Sequence, residues 1–589
     1  MFFCKWCLLG ECWDHNLAGL AALAALTDLS DYDNNPGKRK AWTDAETPAS
    51  KRKRGSAAEA KPNNSQSSWK ASQPSWKSKK PKANQPDFQR AFLDPDNLPG
   101  DLGDMQGARA RLAVSVDGGS EGVAGRYAPI TTFEELTLLP VYVFQALEKM
   151  QITAPMPIQA QALPIVLGGH DLVGVAKTGS GKTLAYLLPA IVHVEAQPPI
   201  DSSAASPIAL ALAPTRELAI QISEEAKKIL RFSRDGGSNH EGGLWASCVY
   251  GGLDKGEQLR SSMGCHILAA TPGRLMDLVT NGKISMDRVT YFVLDEGDRM
   301  LDDGFEDQLK SIACEIRSDR HMLFFSATWP KKVQDLAMYM CHGSQRPVRL
   351  RVGQSGDGAA TSREDIVQEV VVFDQATWDE RDKKKQQLLY KHVRAALQSK
   401  DSKVLVFVSR KDLAEAMSQQ FIWEGFPAET LHGGRSQNVR LQVLEQFKSW
   451  NVRLLVTTDV MGRGLDIPSI SHVVVYDMGD VDDYVHRIGR TARGPYGKGH
   501  ALTLFEYDPK WPHLAEGLIG CLEKAGQEVP DDLRRVAYEV SMGSREVKSM
   551  KAGSKWGKLS GWQGSASEAA RRKLGYSKYE DGDAAWKTW

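Results

Sequence analysis

The chain has 589 residues, 42% hydrophobic and 25% charged, enough to bury two domain cores and still leave long tails. Its formal charge of +1 hides a segregation: residues 36–82 hold thirteen Lys and Arg against three acidic residues and residues 541–578 nine against two, which leaves about −16 on the remainder. No apolar stretch is long enough to cross a bilayer, LAGLAALAAL (17–26) being too short and preceded by no basic signal region, and eight scattered cysteines suit a reduced intracellular compartment rather than a disulfide scaffold.

At the amino end Cys4, Cys7, Cys12 and His15 are spaced C-x2-C-x4-C-x2-H, a donor set able to hold tetrahedral zinc. The same segment can equally be read as unstructured, or as a short amphipathic helix that contributes LAGLAALAAL to a partner. The basic arm that follows contains KRK (38–40), ten residues, then KRKR (51–54), the form of a bipartite nuclear import signal and an indication of a nuclear or nucleolar protein. Plain affinity for polyanions would produce the same clusters. Trp42, Trp69, Trp76, Trp556 and Trp562 punctuate the two basic arms and offer faces on which bases can stack.

The densest chemistry begins at residue 171. DLVGVA (171–176) reads as a buried strand and LAYLLPAIV, from Leu184, as a helix, with AKTGSGKT (176–183) between them. Gly179 and Gly181 let backbone N–H groups approach phosphate oxygens, and the helix start adds its positive dipole end. Lys182 then reaches the β and γ phosphates and Thr183 the magnesium, with Ala176, Lys177, Thr178 and Ser180 completing the loop. Farther on, YFVL (291–294) reads as a strand that delivers Asp295 and Glu296 at its carboxyl end. Asp295 suits a magnesium ligand acting through water, and Glu296 a base that orients or deprotonates the attacking water.

Residues 351–365, RVGQSGDGAATSRED, are rich in Gly, Ser and Asp and read as a linker. After it come the strand-like runs VVVF (370–373), VLVFVS (404–409), RLLVTTD (453–459), HVVVYD (472–477) and ALTLF (501–505). The expected organisation is therefore α/β with two tandem parallel-sheet lobes: an extension over 1–125, a first lobe over 131–350, the linker, a second lobe over 366–510, and a basic, Trp-containing extension over 511–589.

Together with PTREL (214–218), TPGR (271–274), VLDEGD (293–298), SAT (326–328), TTDVMGRGLDI (457–467) and YVHRIGRTAR (484–493), the ordered series resembles the DEAD-box ATP-dependent RNA helicases, the box here being Asp295, Glu296, Gly297, Asp298. The resemblance covers about residues 131–506 and implies two RecA-like lobes, RNA-stimulated ATP hydrolysis, magnesium, and RNA gripped largely without regard to sequence, with ribonucleoprotein partners. A hydrolysis-poor RNA clamp and a DNA helicase are the alternative activities for such lobes.

Carried over by resemblance, Gln159 of MQITAPMPIQ contacts adenine and Phe133 is the upstream aromatic, whereas Gln151, Ile152 and Met156 replace the usual Gly, aromatic and Thr. Arg490 and Arg493 match arginine fingers, His486 and Arg487 contacts to the first lobe, and Gly464 and Asp466 the nucleotide-facing turn, Asp466 on the ribose. Asp298, Ser326 and Thr328 match the element that couples hydrolysis to lobe closure. RNA positions correspond to Thr215, Arg216, Gly252, Thr271, Gly273 and Arg274 on the first lobe and to Gly433, Gln437, Arg440, Thr458 and Arg463 on the second. Gly297 stands where the family has Ala, and a methyl there is expected to be tolerated if the local torsions suit an L-residue.

Overall fold

The computed structural model describes residues 85–97, 104–119, 122–177, 179–341, 346–353, 365–374, 377–459, 467, 469–492 and 498–547. The first lobe runs α1 (Met105–Arg111), β1 (Val114–Gly118), α2 (Val141–Lys149), α3 (Pro157–Leu167), β2 (Leu172–Val175), α4 (Lys182–Glu195), β3 (Ala209–Leu212), α5 (Arg216–Leu230) and β4 (Ala246–Val249). It continues with α6 (Lys255–Ser262), β5 (Ile267–Ala270), α7 (Pro272–Thr280), β6 (Tyr291–Leu294), α8 (Gly297–Asp302), α9 (Glu306–Glu315), β7 (His321–Ser326), α10 (Lys331–Met340) and β8 (Val348–Val352). The second lobe comprises β9 (Ile366–Phe373), α11 (Trp378–Ala396), β10 (Val404–Phe407), α12 (Lys411–Trp423), β11 (Ala428–Leu431), α13 (Gln437–Lys448) and β12 (Leu454–Thr457). It closes with β13 (His472–Val475), α14 (Val481–Ile488), β14 (Gly499–Glu506), α15 (Leu514–Lys524) and α16 (Asp531–Ser541).

Each lobe is one sheet sandwiched by helices. The first is ordered β1-β8-β2-β7-β6-β3-β5-β4, parallel except where β1 meets β8, and the second β11-β12-β10-β13-β14-β9, parallel throughout. Parallel strands are covered on both faces, so they read as unbroken apolar runs rather than alternating ones. In β7 successive residues serve opposite cores: Leu323 and Phe325 join one apolar cluster of the lobe, Met322 and Phe324 the other.

The folded region is longer than the sequence reading allowed at both ends. Within the expected extension 1–125, α1 and β1 are formed, and β1 adds an antiparallel edge to β8, where Asp117 accepts from Arg349 (2.7 Å) and Arg351 (3.3 Å). Beyond residue 510, α15 and α16 bury Leu518, Leu522, Leu533 and Val536 in the second lobe's core, so that lobe reaches at least to residue 537. Among the described residues no helix is long and apolar enough to cross a membrane.

Candidate functional site

The parallel strands carry their chemistry on the loops at their carboxyl ends, where open α/β sheets bind ligands. β2 delivers the phosphate loop. Gly179 (φ 77°) and Gly181 (φ 87°) adopt left-handed conformations that bring their amides round toward the start of α4. A Cβ at Gly181 would lie 2.4 Å from Gln159 Nε2 and 2.7 Å from Met156 Sδ, so glycine is also required by packing. Lys182, the first residue of α4, is buried and donates to Ala176 O at 3.1 Å, while Thr183 sits half-buried beside it. Ser180 Oγ is buried without a hydrogen-bond partner.

Gln159 braces this loop: its Nε2 donates to Gly181 O (2.9 Å) and its Oε1 accepts from Met156 N (2.9 Å). One N–H and one lone pair remain for an adenine edge. Phe133 departs from the expectation. It opens a short turn capped by Thr132 and Glu135 and is 2% exposed in the core of the first lobe, so its ring is a packing element rather than a displayed stacking surface.

Asp295 and Glu296 leave the end of β6 side by side, both buried. Glu296 holds φ 56° and ψ 52°, a left-handed conformation that costs a residue with a side chain about 1–2 kcal/mol. Burial raises both carboxyl pKa values, and the Lys182 cation works against that rise. Tyr186, one helical turn beyond Thr183, donates to Asp295 Oδ2 at 3.1 Å. Asp295 Oδ1 and Glu296 Oε2 have no hydrogen-bond partner although buried. Two such oxygens beside a glycine loop with a buried lysine are the donor set that a magnesium–nucleotide complex requires, with Thr183 and Asp295 as the residues to hold the metal.

Beyond the carboxylates, α8 presents Asp298. Its Oδ2 accepts from Thr328 N and Thr328 Oγ1, both at 2.9 Å, and from Ala327 N at 3.2 Å, and stands 4.0 Å from His486 Nε2 of the second lobe. Of the two SAT hydroxyls only Thr328 joins this set; Ser326 Oγ is buried without a partner. Arg487 departs from the expected contact with the first lobe. Its Nε and Nη2 bind Asp459 Oδ1 (2.8 and 2.6 Å) and its Nη1 donates to Asp477 O (2.7 Å), all within the second lobe, because α14 turns that side chain back onto its own sheet. The first lobe instead reaches across through Arg299, whose Nη2 donates to Asp459 O at 3.4 Å. Arg490 Nε donates to His486 O (3.1 Å), and its charge works against the burial-driven rise of the Glu296 carboxyl pKa, so the two groups lie within electrostatic reach of each other.

The residues expected on RNA fall into two groups. Thr215 caps α5 by accepting from Leu218 N (3.3 Å), Arg274 Nη2 donates to Leu253 O (3.1 Å), and Thr271 and Gly273 open α7, all at carboxyl ends of first-lobe strands. Gly252 (φ 93°) lets the Arg216 guanidinium pass, since a Cβ there would lie 2.4 Å from Arg216 Nη1. Gly433 is exposed after β11 and Thr458 half-exposed after β12. The second group is spent between the lobes: Arg440 pairs with Glu217 at 2.5 Å, Gln437 Nε2 donates to Glu217 Oε1 at 3.1 Å, and Arg216 Nη1 donates to Gln437 Oε1 at 3.4 Å. Gln437 and Arg440 are thus buried lobe-to-lobe contacts rather than surfaces offered to phosphate.

Sequence reasoning missed Tyr186, Glu217, Arg299 and Asp459. Glu217 lies inside PTREL and Tyr186 three residues past Thr183 on the same helical face, so both carried a positional signal; Arg299 and Asp459 meet only in the fold. Cys4, Cys7, Cys12, His15, Thr178, Arg463, Gly464, Asp466 and Arg493 lie outside the described residues.

Residues 156–336 match the DEAD/DEAH box helicase family model and residues 384–495 that of the helicase conserved C-terminal domain. The ATP-dependent RNA helicase DBP2 of Candida albicans is 43% identical over 410 residues, 69% of this chain and 68% of that one. The chain belongs to the DEAD-box RNA helicase family. DBP2 of Gibberella zeae is 40% identical over 448 residues, 75% of both chains. Among solved structures, Mss116p bound to ssRNA and AMP-PNP superposes with TM-score 0.57 at 26% identity, covering 70% of this chain and 82% of that one. S. cerevisiae Dbp5 bound to RNA and ADP BeF3 gives TM-score 0.55 at 24% identity, covering 71% of this chain and all of that one, a likeness of fold. In DEAD-box terms, the box and the SAT element of this family member meet through Asp298 and Thr328, and the two lobes meet through Glu217 and Arg440.

Proposed function

We propose that this ATP-dependent RNA helicase transmits the state of its nucleotide site to RNA through the Asp298 carboxylate. The protein binds ATP and RNA and couples hydrolysis to remodelling of RNA or its complexes, as a member of its family. Lys182 and the loop amides bind the β and γ phosphates, Gln159 holds that loop against α3, and Tyr186 orients Asp295. Magnesium, when bound, neutralises the charge on the transferred phosphoryl group. Glu296 takes the proton from the attacking water, and Arg490 approaches the developing charge from the second lobe, joined by Arg493.

The observation that carries the proposal is that one oxygen, Asp298 Oδ2, takes both hydrogen-bonding groups of Thr328 and faces His486 across the lobe boundary. A change at the box therefore reaches SAT and the second lobe in a single step. Thr328→Val tests it: RNA-stimulated ATP hydrolysis should persist while strand separation per ATP falls at least tenfold, and unchanged separation would refute the coupling role. Thr215, Gly252, Thr271, Gly273, Arg274, Gly433 and Thr458 would line the RNA path, using backbone and phosphate contacts that do not read sequence. The basic arms raise local RNA concentration by charge, and the clusters at 38–40 and 51–54 direct the protein to the nucleus.

A further inference from the structure

We propose that His392, His472 and His500 form a three-histidine binding site for a first-row divalent cation, zinc above all, on the rim of the second lobe opposite its ATP-facing loops. His472 opens β13 and His500 is the second residue of β14, paired with it in register, so both rings stand at the amino ends of their strands. His392, near the carboxyl end of α11, completes a triangle with ring centroids 5.3 Å from His472 and 5.2 Å from His500, which are themselves 5.4 Å apart. One ring nitrogen from each lies within 4.8 Å of the other two.

The hydrogen bonding points inward. His392 Nε2 and His500 Nδ1 are buried and have no partner, a condition that costs about 1–3 kcal/mol for each polar atom left unpaired. Three neutral rings could satisfy one another as donors and acceptors, yet no hydrogen bond joins any two of them. On its far side His500 places Nε2 3.5 Å from Glu369 Oε2 of β9. A carboxylate there keeps the proton on Nε2 and aims the Nδ1 lone pair into the triangle, the arrangement by which outer carboxylates orient metal-bound imidazoles.

Three imidazoles suit zinc, copper or nickel and not magnesium or calcium, so the site would not compete for the ion that accompanies ATP. Zinc at ~2.0–2.1 Å from each nitrogen needs nitrogens about 3.4 Å apart in a tetrahedron, within reach of small ring rotations from the present spacing. All three histidines are half-buried, so the cluster lies near the surface of the lobe rather than deep in its core. A bound ion would tie α11 to β13 and β14.

The test uses the full chain carrying Cys4→Ser, Cys7→Ser and Cys12→Ser, which silences the amino-terminal thiols. Zinc titrated against a chromophoric chelator should fill one site and raise the unfolding temperature, and cobalt should give a d–d spectrum without thiolate charge transfer. His392→Ala and His472→Ala should each abolish that site, and Glu369→Gln, which keeps all three rings, should weaken it about tenfold. Circular dichroism and RNA-stimulated ATPase activity establish that each variant is folded. Absence of zinc binding in the chain lacking Cys4, Cys7 and Cys12, or binding unchanged by both histidine substitutions and by Glu369→Gln, would overturn the proposal.

Discussion

Gly297 and Phe324 occupy one space: a Cβ built on Gly297 would lie 2.2 Å from Phe324 Cζ. Gly297 does not have positive φ, so its torsions suit any L-residue and the obstacle is the ring alone. The expectation that alanine would fit here is therefore reversed by packing. Gly297→Ala should cost about 1–3 kcal/mol, as overpacking does, and Phe324→Leu in the same chain should recover most of it. Thermal unfolding of the two single variants and the double variant measures this; additive losses would show that the two residues do not share the space.

Glu217 and Arg440 join the lobes as a buried pair backed by Gln437. Removing one member leaves the other charged and buried, which typically costs 3–5 kcal/mol. Arg440→Ala should therefore weaken affinity for RNA in the presence of a non-hydrolysable ATP analogue at least tenfold, while the affinity of the first lobe for nucleotide alone stays near wild type. Glu217→Gln combined with Arg440→Ala should lose less than the sum of the two, and strict additivity in that cycle would rule out the bridge.

The site's first-lobe half is legible because strand, glycine loop and carboxylate pair each impose a local pattern: AKTGSGKT and VLDEGD are placed at strand ends by sequence alone. What stayed hidden depends on partners distant in sequence. Arg487 looked like a lobe-bridging residue, but only the fold brings Asp459, 28 residues away, under its guanidinium. Gln437 and Arg440 looked like RNA contacts because the burial of Glu217 cannot be read from its own neighbours. β1 cannot be read from its own five residues, VSVDG, because they make a strand only when β8 is beside them.

The amino-terminal boundary has a direct consequence. A chain beginning at residue 85 keeps β1 and should retain RNA-stimulated ATPase activity, with lower RNA affinity at low salt and a shallower salt slope owing to the lost basic residues. One beginning at residue 126 exposes the β8 edge and strips Asp117 from Arg349 and Arg351, so it should unfold at lower temperature. Equal melting temperatures for the two would contradict the assignment of β1 to the domain.

Burial raises the Glu296 carboxyl pKa above its ordinary 4.5. A raised folded-state pKa means the folded protein holds its proton more tightly than the unfolded chain, so stability from this group is greatest below 4.5 and is lost as pH rises through the folded value. Glu296→Gln removes that loss. In nucleotide-free protein the variant should melt above wild type at pH 8, and the gap should shrink as pH falls toward 4.5. A gap that widens on acidification would show the shift has the opposite sign.

Single-turnover hydrolysis of ATP by Glu296→Gln in saturating RNA tests the central claim most directly. Loss of the base should slow hydrolysis about 10²–10⁴-fold while ATP and RNA remain bound together, because Lys182, Asp295 and Arg490 are untouched. Hydrolysis within a few-fold of wild type would contradict the assignment of Glu296 as the base.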